Sequence, residues 1–489
     1  MPILAFFALV GWGFASPVGA SPDDDFHLAS IWCGSGERAG LCEPAALANE
    51  RTVPTALEAQ AVCFAKKSTI SAACQGKDYG THPADVEATA RGNFTGLYPP
   101  VFYLAMSAFA GPNVDISVLS MRVVNSALFV GLLSALFFLL PRRRRPILIG
   151  SVVISLVPLG MFLIPSTNPS SWAILSAGIV WLALLGYFES TGRRKVGLAA
   201  LAVLGTLMGA GARADSAAYV GVAAVVAGML TFQANRRYLR AALLPTTLVI
   251  AAIFFFAISR QSLASTVGLP GSDGTLSQGA PHLGLMLSNL AGIPGLWVGV
   301  FGSWPLGWFD TMLPDIVWVG GFASYVAVII VGLRSKFRRK LSVVVLMLGA
   351  LWLIPAAVLA ASGAVAGDYV QPRYLLPLIV MFTGVALLNG RDGELSLSPA
   401  YLWTIATVLS ITNSLALYTN IRRYVTGTDG RSLNLDSRIE WWWNIPFSPM
   451  TVWGIGSVAF AAMLVLLAHF AASSSRRTSA ASDVQAGES

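Results

Sequence analysis

Charged residues are scarce in this sequence, at 11% of 489 residues, whereas hydrophobic residues make up 55%. Soluble globular domains typically carry about 25% charged residues, so the composition excludes that class. The apolar runs also lack the alternation of polar and apolar residues that transmembrane β-strands require, which excludes a transmembrane β-barrel. We therefore predict an all-α polytopic membrane protein, whose backbone polar groups pair within helices.

Apolar runs long enough to cross a hydrocarbon core of about 30 Å recur along most of the chain. The predicted spans lie near residues 3–20, 117–140, 147–165, 171–189, 196–211, 217–233, 241–259, 289–303, 316–333, 341–361, 375–389, 399–418 and 451–471. Basic clusters occupy the joints at 142–145, 193–195, 236–240, 334–340 and 476–477. By the positive-inside rule these basic joints are cytoplasmic. All of them lie on the same side of the membrane if 289–303 is a re-entrant or interfacial segment, which leaves about 12 transmembrane helices.

This topology makes residues 1–471 one multispanning membrane domain with both termini cytoplasmic, followed by a disordered cytoplasmic tail at 472–489. The first apolar segment has two interpretations. A retained helix is favoured because no Lys or Arg precedes it, and the alternative is a signal peptide cleaved near "PVGASP". The net charge of +8 follows from the basic joints, so we expect membrane lipids and no nucleic acid as partners.

Cysteine is also rare, and all four cysteines lie in the first extracytoplasmic loop of this topology, within residues 21–116: Cys33, Cys42, Cys63 and Cys74. An even count in an extracytoplasmic loop predicts two disulfides, and four cysteines allow three pairings. The local pairing of Cys33 with Cys42 and Cys63 with Cys74 is the simplest. A zinc site is the alternative, but no C-x-x-C spacing occurs. The apolar piece at 96–111 is too short to cross comfortably and is predicted to lie at the membrane interface.

The densest acidic cluster, "SPDDDFHLAS", directly follows the first apolar segment. Asp23 and Asp24 are candidate catalytic residues or ligands of a divalent metal such as Mg or Mn, with His27 beside them. The alternative is a solvated cluster that only marks the end of the first helix. Ionisable residues at membrane depth favour the functional interpretation without deciding between the two.

Arginines on the predicted outer face oppose the topological charge bias and therefore need another reason to be there. Arginine binds phosphate through a planar fork, so a lipid-linked phosphate is one explanation, and headgroup snorkelling is the other. Arg213 and Asp215 flank one short loop and are close enough in sequence to pair with each other. The candidate substrate-binding residues are Asp25, Arg213, Asp215, Asp368, Arg373, Tyr374, Arg422, Arg423 and Tyr424.

Several blocks together resemble a bacterial family of predicted membrane proteins, domain of unknown function 2142. "PDDDFH" is similar to that family's P-D-E-x-x-H signature, except that Asp24 stands where Glu is more usual. The later blocks follow in the expected order: "YPPVFY", "NPSSWA", "ARADS", "FGSWPLGWFD", "QPRYLLP" and "RRYVTG". The resemblance covers about residues 21–449, and the cysteine-containing loop resembles the actinobacterial members.

This family in turn resembles the C-type (GT-C) integral-membrane glycosyltransferases. The resemblance implies a bacterial plasma-membrane enzyme that is active on its extracytoplasmic face. The enzyme would transfer a sugar from a polyprenyl phosphate to a cell-envelope glycan or lipid, and the anomeric configuration of the sugar would be inverted. Asp23 or Asp24 would activate the acceptor hydroxyl. Arg373, or Arg422 with Arg423, would hold the phosphate. The alternatives are a transporter or flippase of lipid-linked glycans, a glycan polymerase or ligase, and a purely structural membrane partner. A transporter typically shows paired interrupted helices, and the sequence has no internal repeat.

Overall fold

A computed structural model of the chain describes residues 1–77, 79–80, 85–260, 283–335, 337–368, 370–389, 398–430 and 432–487. The residues that the structure describes fold mainly into helices joined by loops, with one small sheet. The helices are α1 (Pro2–Phe14), α2 (Asp24–Trp32), α3 (Val101–Met106), α4 (Val114–Leu139), α5 (Arg145–Ser155), α6 (Leu159–Leu163), α7 (Ser170–Glu189), α8 (Gly192–Ala210), α9 (Ala214–Thr231), α10 (Arg236–Ile258), α11 (Leu283–Val298), α12 (Asp315–Leu333), α13 (Arg338–Ser362), α14 (Pro372–Ala386), α15 (Pro399–Val425) and α16 (Pro449–Gly487).

Nine helices in the described part of the chain are long and apolar enough to cross a membrane. They are α4, α7, α9, α10, α11 with its continuation to Ser303, α12, α13, α15 and the portion of α16 up to Ser473. Helices α1 and α14 are apolar but shorter. The protein is therefore a multi-pass helical membrane protein, as the composition predicted.

Two helices differ from the predicted spans: one is shorter than predicted, and another predicted span is divided into two helices. The first was expected near 3–20, but α1 ends at Phe14. Pro17 lacks the N–H that a longer helix would need, and Arg122 donates hydrogen bonds to the carbonyls of Gly13, Ser16 and Pro17. The second was expected near 147–165 and is divided into α5 and α6 at Pro158, where the Val157–Pro158 peptide bond is cis.

At the other end of the chain, the last helix continues to Gly487, past the predicted start of a disordered tail at 472. The segment is rich in alanine, the strongest helix former.

The first long loop folds around an antiparallel three-stranded sheet that the sequence analysis did not predict. Its strands are β1 (Glu43–Pro44), β2 (Arg51–Pro54) and β3 (Val86–Thr89), in that order. Threonine and valine in β2 and β3 suit a partly buried strand. The disulfides follow the local pairing, with Cα–Cα distances of 5.2 Å for Cys33–Cys42 and 6.0 Å for Cys63–Cys74. The predicted pairing is confirmed.

Helix α7 lies at the centre of the bundle, since 89% of the residues in an apolar 18-residue stretch of this helix are buried inside the protein. It packs against α8, α9 and α14. Helix α1 packs against α16, where a Cβ atom on Gly11 would lie 2.9 Å from the Gly456 Cα. Helix α1 also packs against α4 and α6, which holds its end, and the acidic segment that follows it, close to these helices.

Candidate functional site

The acidic segment begins at a sharp change of backbone direction. Asp23 precedes α2 in the left-handed conformation, with φ at 61°. Aspartate tolerates this conformation better than most residues. Gly19, a few residues earlier, has φ at 81°, and a Cβ atom there would lie 2.2 Å from the Ala61 carbonyl oxygen. The chain therefore reaches α2 through a tight path, and the three aspartates have different surroundings.

Asp23 is the half-buried carboxylate of the cluster, with 21% of its side chain exposed. Its Oδ2 accepts a 2.7 Å hydrogen bond from Arg373 Nη2, and its Oδ1 lies 3.8 Å from Arg91 Nη2. Burial opposes ionisation of Asp23 and is the largest effect, but the charge and hydrogen bond of Arg373 together with the other nearby charges, Arg91 among them, outweigh it, so the pKa of Asp23 lies below the ordinary value. At neutral pH Asp23 is thus an accessible carboxylate.

Asp24 is completely buried and holds two loops together. One of its oxygens accepts from the Ser21 N–H at 3.0 Å and the other from the Thr167 hydroxyl at 3.0 Å. Asn168 reinforces the junction by donating to the Pro22 carbonyl at 2.8 Å. Burial raises the pKa of Asp24 to about 7. These contacts favour a positioning role for Asp24.

Asp25 is paired with an arginine that the sequence analysis did not select. Arg91 donates to both Asp25 oxygens, at 2.5 Å from Nε and 3.0 Å from Nη2. This fork fixes Arg91 next to Asp23 as well. Asp25 therefore orients a cation at the edge of the site.

His27 lies one turn further along α2, buried among aromatic rings. Its Nδ1 shares a 2.9 Å hydrogen bond with the Tyr103 hydroxyl, and the Tyr98 ring packs edge-on at 5.5 Å. Burial lowers the pKa of His27 to about 3. The imidazole is consequently neutral at physiological pH.

Arg373, the second residue of α14, is the buried cation of the site, with 5% of its side chain exposed. Its Nη2 donates to Asp23 and, at 2.9 Å, to the Tyr374 hydroxyl. Its Nε and Nη1 have no hydrogen-bond partner among the described residues. Buried donors are normally satisfied, so these unused groups indicate a missing acceptor.

The outer residues Arg213 and Asp215 pair with each other, the simpler of the sequence-based explanations. Arg213 donates to both Asp215 oxygens at 2.8 Å. The guanidinium also lies 4.6 Å from the Tyr374 ring centre, which places it beside Arg373. The Arg213–Asp215 pair therefore forms one wall of the site, next to Tyr374. Asp368, in the loop before α14, is exposed.

The structure gives Arg422, Arg423 and Tyr424 other partners. Arg423 is fully buried, pairs with Asp310 at 2.9 Å and donates to the carbonyls of Phe64, Lys67 and Ile70. Arg422 donates to the Tyr418 hydroxyl and to the carbonyls of Gly430 and Ser432. Tyr424 packs edge-on against Phe64 at 5.3 Å. These side chains fasten loops and are not joined to Asp23.

The carboxylates do not form a divalent-metal site. The oxygens of Asp23 face Arg373 and Arg91, and those of Asp24 accept from Ser21 and Thr167. Within the described residues no group of three or more His, Cys, Asp or Glu side chains has the arrangement to hold a metal. A hard cation would have to replace two arginines, so the donor set does not fit it.

Sequence reasoning missed several residues around the acidic segment: Arg91, Tyr98, Tyr103, Arg122 and Thr167. It also missed Asp310, which ends "FGSWPLGWFD" and pairs with Arg423. Tyr98 and Tyr103 are the tyrosines of "YPPVFY", and Thr167 directly precedes "NPSSWA", so a place in or beside these blocks was the available signal. Arg91 and Arg122 lie outside the quoted blocks, as single basic residues in segments with no other mark.

The quoted blocks meet around the acidic segment. "NPSSWA" contributes Asn168 to Pro22, "QPRYLLP" contributes Arg373 to Asp23, and Trp308 donates to the Gly19 carbonyl at 2.8 Å. "YPPVFY" is joined to "ARADS" because the Val101 N–H donates to the carbonyl of the adjoining Gly211 at 2.9 Å. Segments distant in sequence thus form one site.

Comparisons with characterised proteins and with solved structures find no match. A family described as predicted membrane protein (DUF2142) matches residues 6–382. The match includes the acidic segment and Arg373 but ends before "RRYVTG", which the sequence analysis had counted in the resemblance. Because this match spans well over half of the chain, the protein belongs to the DUF2142 family of predicted membrane proteins.

Proposed function

We propose that the protein is a GT-C-type glycosyltransferase of the bacterial plasma membrane. In this proposal it moves a sugar from a polyprenyl phosphate to a cell-envelope glycan or lipid on the extracytoplasmic face. The observation that carries the proposal is the Asp23–Arg373 pair. It joins a half-exposed carboxylate to a buried guanidinium that has unused donors on two nitrogens.

The donor phosphate binds at Arg373. Its unpaired Nε and Nη1 groups supply donors for phosphate oxygens, and the Tyr374 hydroxyl lies within reach of the same guanidinium. Arg213 and Arg91 add positive charge at the edges while each remains oriented by its own aspartate. Arg422 and Arg423 are not needed, because their donors serve backbone carbonyls.

Asp23 is the general base of the proposed reaction. The acceptor hydroxyl oxygen attacks the anomeric carbon, and the bond from that carbon to the phosphate oxygen breaks. The electron pair leaves with the phosphate, the hydroxyl proton passes to Asp23, and the anomeric configuration inverts. Phosphate bound at Arg373 competes with Asp23 for the guanidinium. Donor binding therefore raises the basicity of Asp23 when the base is required.

His27 and Tyr103 position the reacting groups and do not carry charge. The neutral imidazole is fixed by Tyr103, whose ring also lines a cavity of about 530 Å³. The cavity is bounded by both cysteines of the Cys33–Cys42 disulfide and by Arg51 and Phe94. Its volume lies in the usual range for ligand pockets. We assign the acceptor to this cavity.

The proposed topology has about 12 crossings, both termini in the cytoplasm and residues 1–471 as one membrane domain. Helices α5 and α6 together form one crossing, and α11 is re-entrant. Support comes from the contacts of α11 with the loop before α14. Asn289, the seventh residue of α11, accepts from the Ala366 N–H at 2.8 Å, and Trp304, just past the continuation of this helix, lies against Gly367. The first half of α11 and the residue that follows its continuation therefore contact the same loop.

The proposed function is tested by sugar transfer in vitro. Purified protein in nanodiscs would be incubated with a panel of radiolabelled polyprenyl-phosphate sugars and with cell-envelope acceptors. We expect label in the acceptor fraction with wild-type protein and Glu43→Gln, an exposed loop acid on β1, and none with Asp23→Asn. No transfer from any donor by wild-type protein, or full transfer by Asp23→Asn, would contradict the proposal.

A further inference from the structure

A second cavity lies away from the Asp23 site, where α9 ends and α10 and α13 begin. It has a volume of about 430 Å³. Its lining residues are Gly228, Met229, Phe232, Tyr238, Arg339 and Ser342. This end of the bundle carries the basic joints that the sequence analysis placed in the cytoplasm. Neither the family nor the proposed transfer reaction assigns it a role.

Exposed arginines without acidic partners lie on the two helices that begin beside this cavity, and of these arginines Arg339 lines it. They are Arg236, Arg237 and Arg240 on α10, with Arg338 and Arg339 on α13. Among the described residues no carboxylate lies within ion-pair distance of these five. Glu189, which ends α7, is paired with Arg143 at 3.1 Å and with Arg144 at 2.6 Å. The cavity therefore faces uncompensated positive charge.

The polar lining is held in place by the backbone. The Tyr238 hydroxyl donates to the Gly228 carbonyl at 3.1 Å, and its ring stacks on Phe188 at 5.1 Å. Arg339 Nη1 donates to the Leu230 carbonyl at 3.3 Å, which directs the guanidinium across the end of α9. No side chain caps the start of α13. Its first N–H groups therefore remain available to an anion.

Large apolar side chains are exposed beside the same cavity. Met229 and Phe232 on the α9 side, Leu239 on α10 and Leu341 on α13 are all exposed. A free phosphate or a soluble acidic peptide would gain nothing from these side chains. An anionic headgroup with acyl chains attached would contact both the arginines and the apolar rim.

We propose that this cavity binds the headgroup of an anionic phospholipid. Its phosphate contacts Arg339 and the start of α13, and its acyl chains contact Phe232 and Met229. The anionic leaflet of a plasma membrane supplies such lipids on the cytoplasmic side. This proposal is independent of the glycosyltransferase proposal, because it uses neither Asp23 nor Arg373.

Native mass spectrometry tests the proposal by measuring binding of phosphatidylglycerol and phosphatidylcholine to the purified full-length protein. We expect preferential binding of phosphatidylglycerol, with affinity about five-fold lower in Arg339→Gln. Ser342→Phe fills the cavity without changing the charge and is expected to lower the affinity as well. Arg194→Gln removes an exposed arginine of α8 outside the cavity and serves as the matched control.

The outcomes separate a built site from general surface attraction. A selective loss in Arg339→Gln and Ser342→Phe supports the proposal. Equal losses in Arg339→Gln and Arg194→Gln, or unchanged affinity in Ser342→Phe, would overturn it. Inorganic phosphate that competes fully with the lipid at millimolar concentration would also overturn it, since the acyl chains would then contribute nothing.

Discussion

Two buried arginine–aspartate pairs, Arg373–Asp23 and Arg423–Asp310, differ in how their remaining donors are used. Arg423 is fully buried, its aspartate is 3% exposed, and its other bonds go to three loop carbonyls, with only Nε unpartnered. Arg373 makes far fewer hydrogen bonds and leaves both Nε and Nη1 unused, beside an aspartate that is 21% exposed. Nearly complete bonding, with one unused nitrogen, indicates a structural fastening, whereas two unused buried nitrogens beside a partly exposed carboxylate indicate a ligand site.

The largest expected effect is on activity at the partly exposed Asp23. Asp23→Asn removes the proposed general base and is expected to lower the rate of sugar transfer by about 10²- to 10⁴-fold. The thermal unfolding midpoint in detergent should fall less than in Arg423→Met, because the amide still accepts from Arg373 and Asp23 is 21% exposed. Transfer kinetics measured beside a thermal scan check this prediction. Transfer by Asp23→Asn at the wild-type rate would show that Asp23 is not the base, and the Arg373–Asp23 pair would then have no role beyond that of Arg423–Asp310.

Breaking the Arg423–Asp310 pair is expected to lower the free energy of unfolding most. Arg423→Met leaves Asp310 buried without its cation and three carbonyls without their donor, and should cost about 3–5 kcal/mol of unfolding free energy. Arg373→Met is the matched control, with a smaller loss of stability and loss of donor binding. Denaturant unfolding in micelles measures the difference. Equal losses in the two variants would remove the distinction between fastening and ligand site.

The two disulfides extend the comparison to the first loop. Replacing either pair by serine should lower stability by about 2–5 kcal/mol. The Cys63–Cys74 segment is also held by Arg423, so its loss should mainly change the unfolding midpoint. The Cys33–Cys42 pair lines the cavity proposed for the acceptor, so its loss should also raise the KM for acceptor. Acceptor kinetics that respond equally to both replacements would place the acceptor elsewhere.

The last expected effect concerns Asp24 and the dependence of stability on pH. Its pKa is raised by burial to about 7 in the folded protein, so the folded state holds a proton that the unfolded state releases near pH 4. Stability from this group is therefore present at low pH and declines as pH rises from about 4 to about 7. Asp24→Asn should flatten that decline in thermal scans across this range. An unchanged slope would mean that another group controls it.

The sequence was a good guide to the class of fold, because low charge and long apolar runs sufficed to predict a multi-pass helical protein. It also singled out the acidic segment, around which several of the quoted blocks meet. It was a poorer guide to helix boundaries at Pro17 and Pro158, because apolar character continues across both prolines while the helix does not. The small sheet was missed since β1 and β2 together contain only six residues.

Individual roles within the site were less predictable, for a physical reason. Asp23, Asp24 and Asp25 are adjacent and identical in chemistry, and only the left-handed turn at Asp23 separates their environments. Arg373 and Arg423 likewise resemble each other in sequence context, each beside a tyrosine near a helix end. Whether a guanidinium nitrogen of either arginine remains without an acceptor depends on which loops from distant parts of the chain pack against it. That information becomes available only once the fold is assembled.

The central claim is that unused donors on Arg373 bind the phosphate of a lipid-linked sugar. The most direct test is a cryo-EM map of the purified protein incubated with a polyprenyl phosphate. We expect phosphate density within hydrogen-bond distance of Arg373 Nη1 or Nε, next to Asp23, with the Arg423–Asp310 pair unchanged. Phosphate density at another site, with Arg373 Nε and Nη1 still unoccupied at saturating lipid, would contradict it.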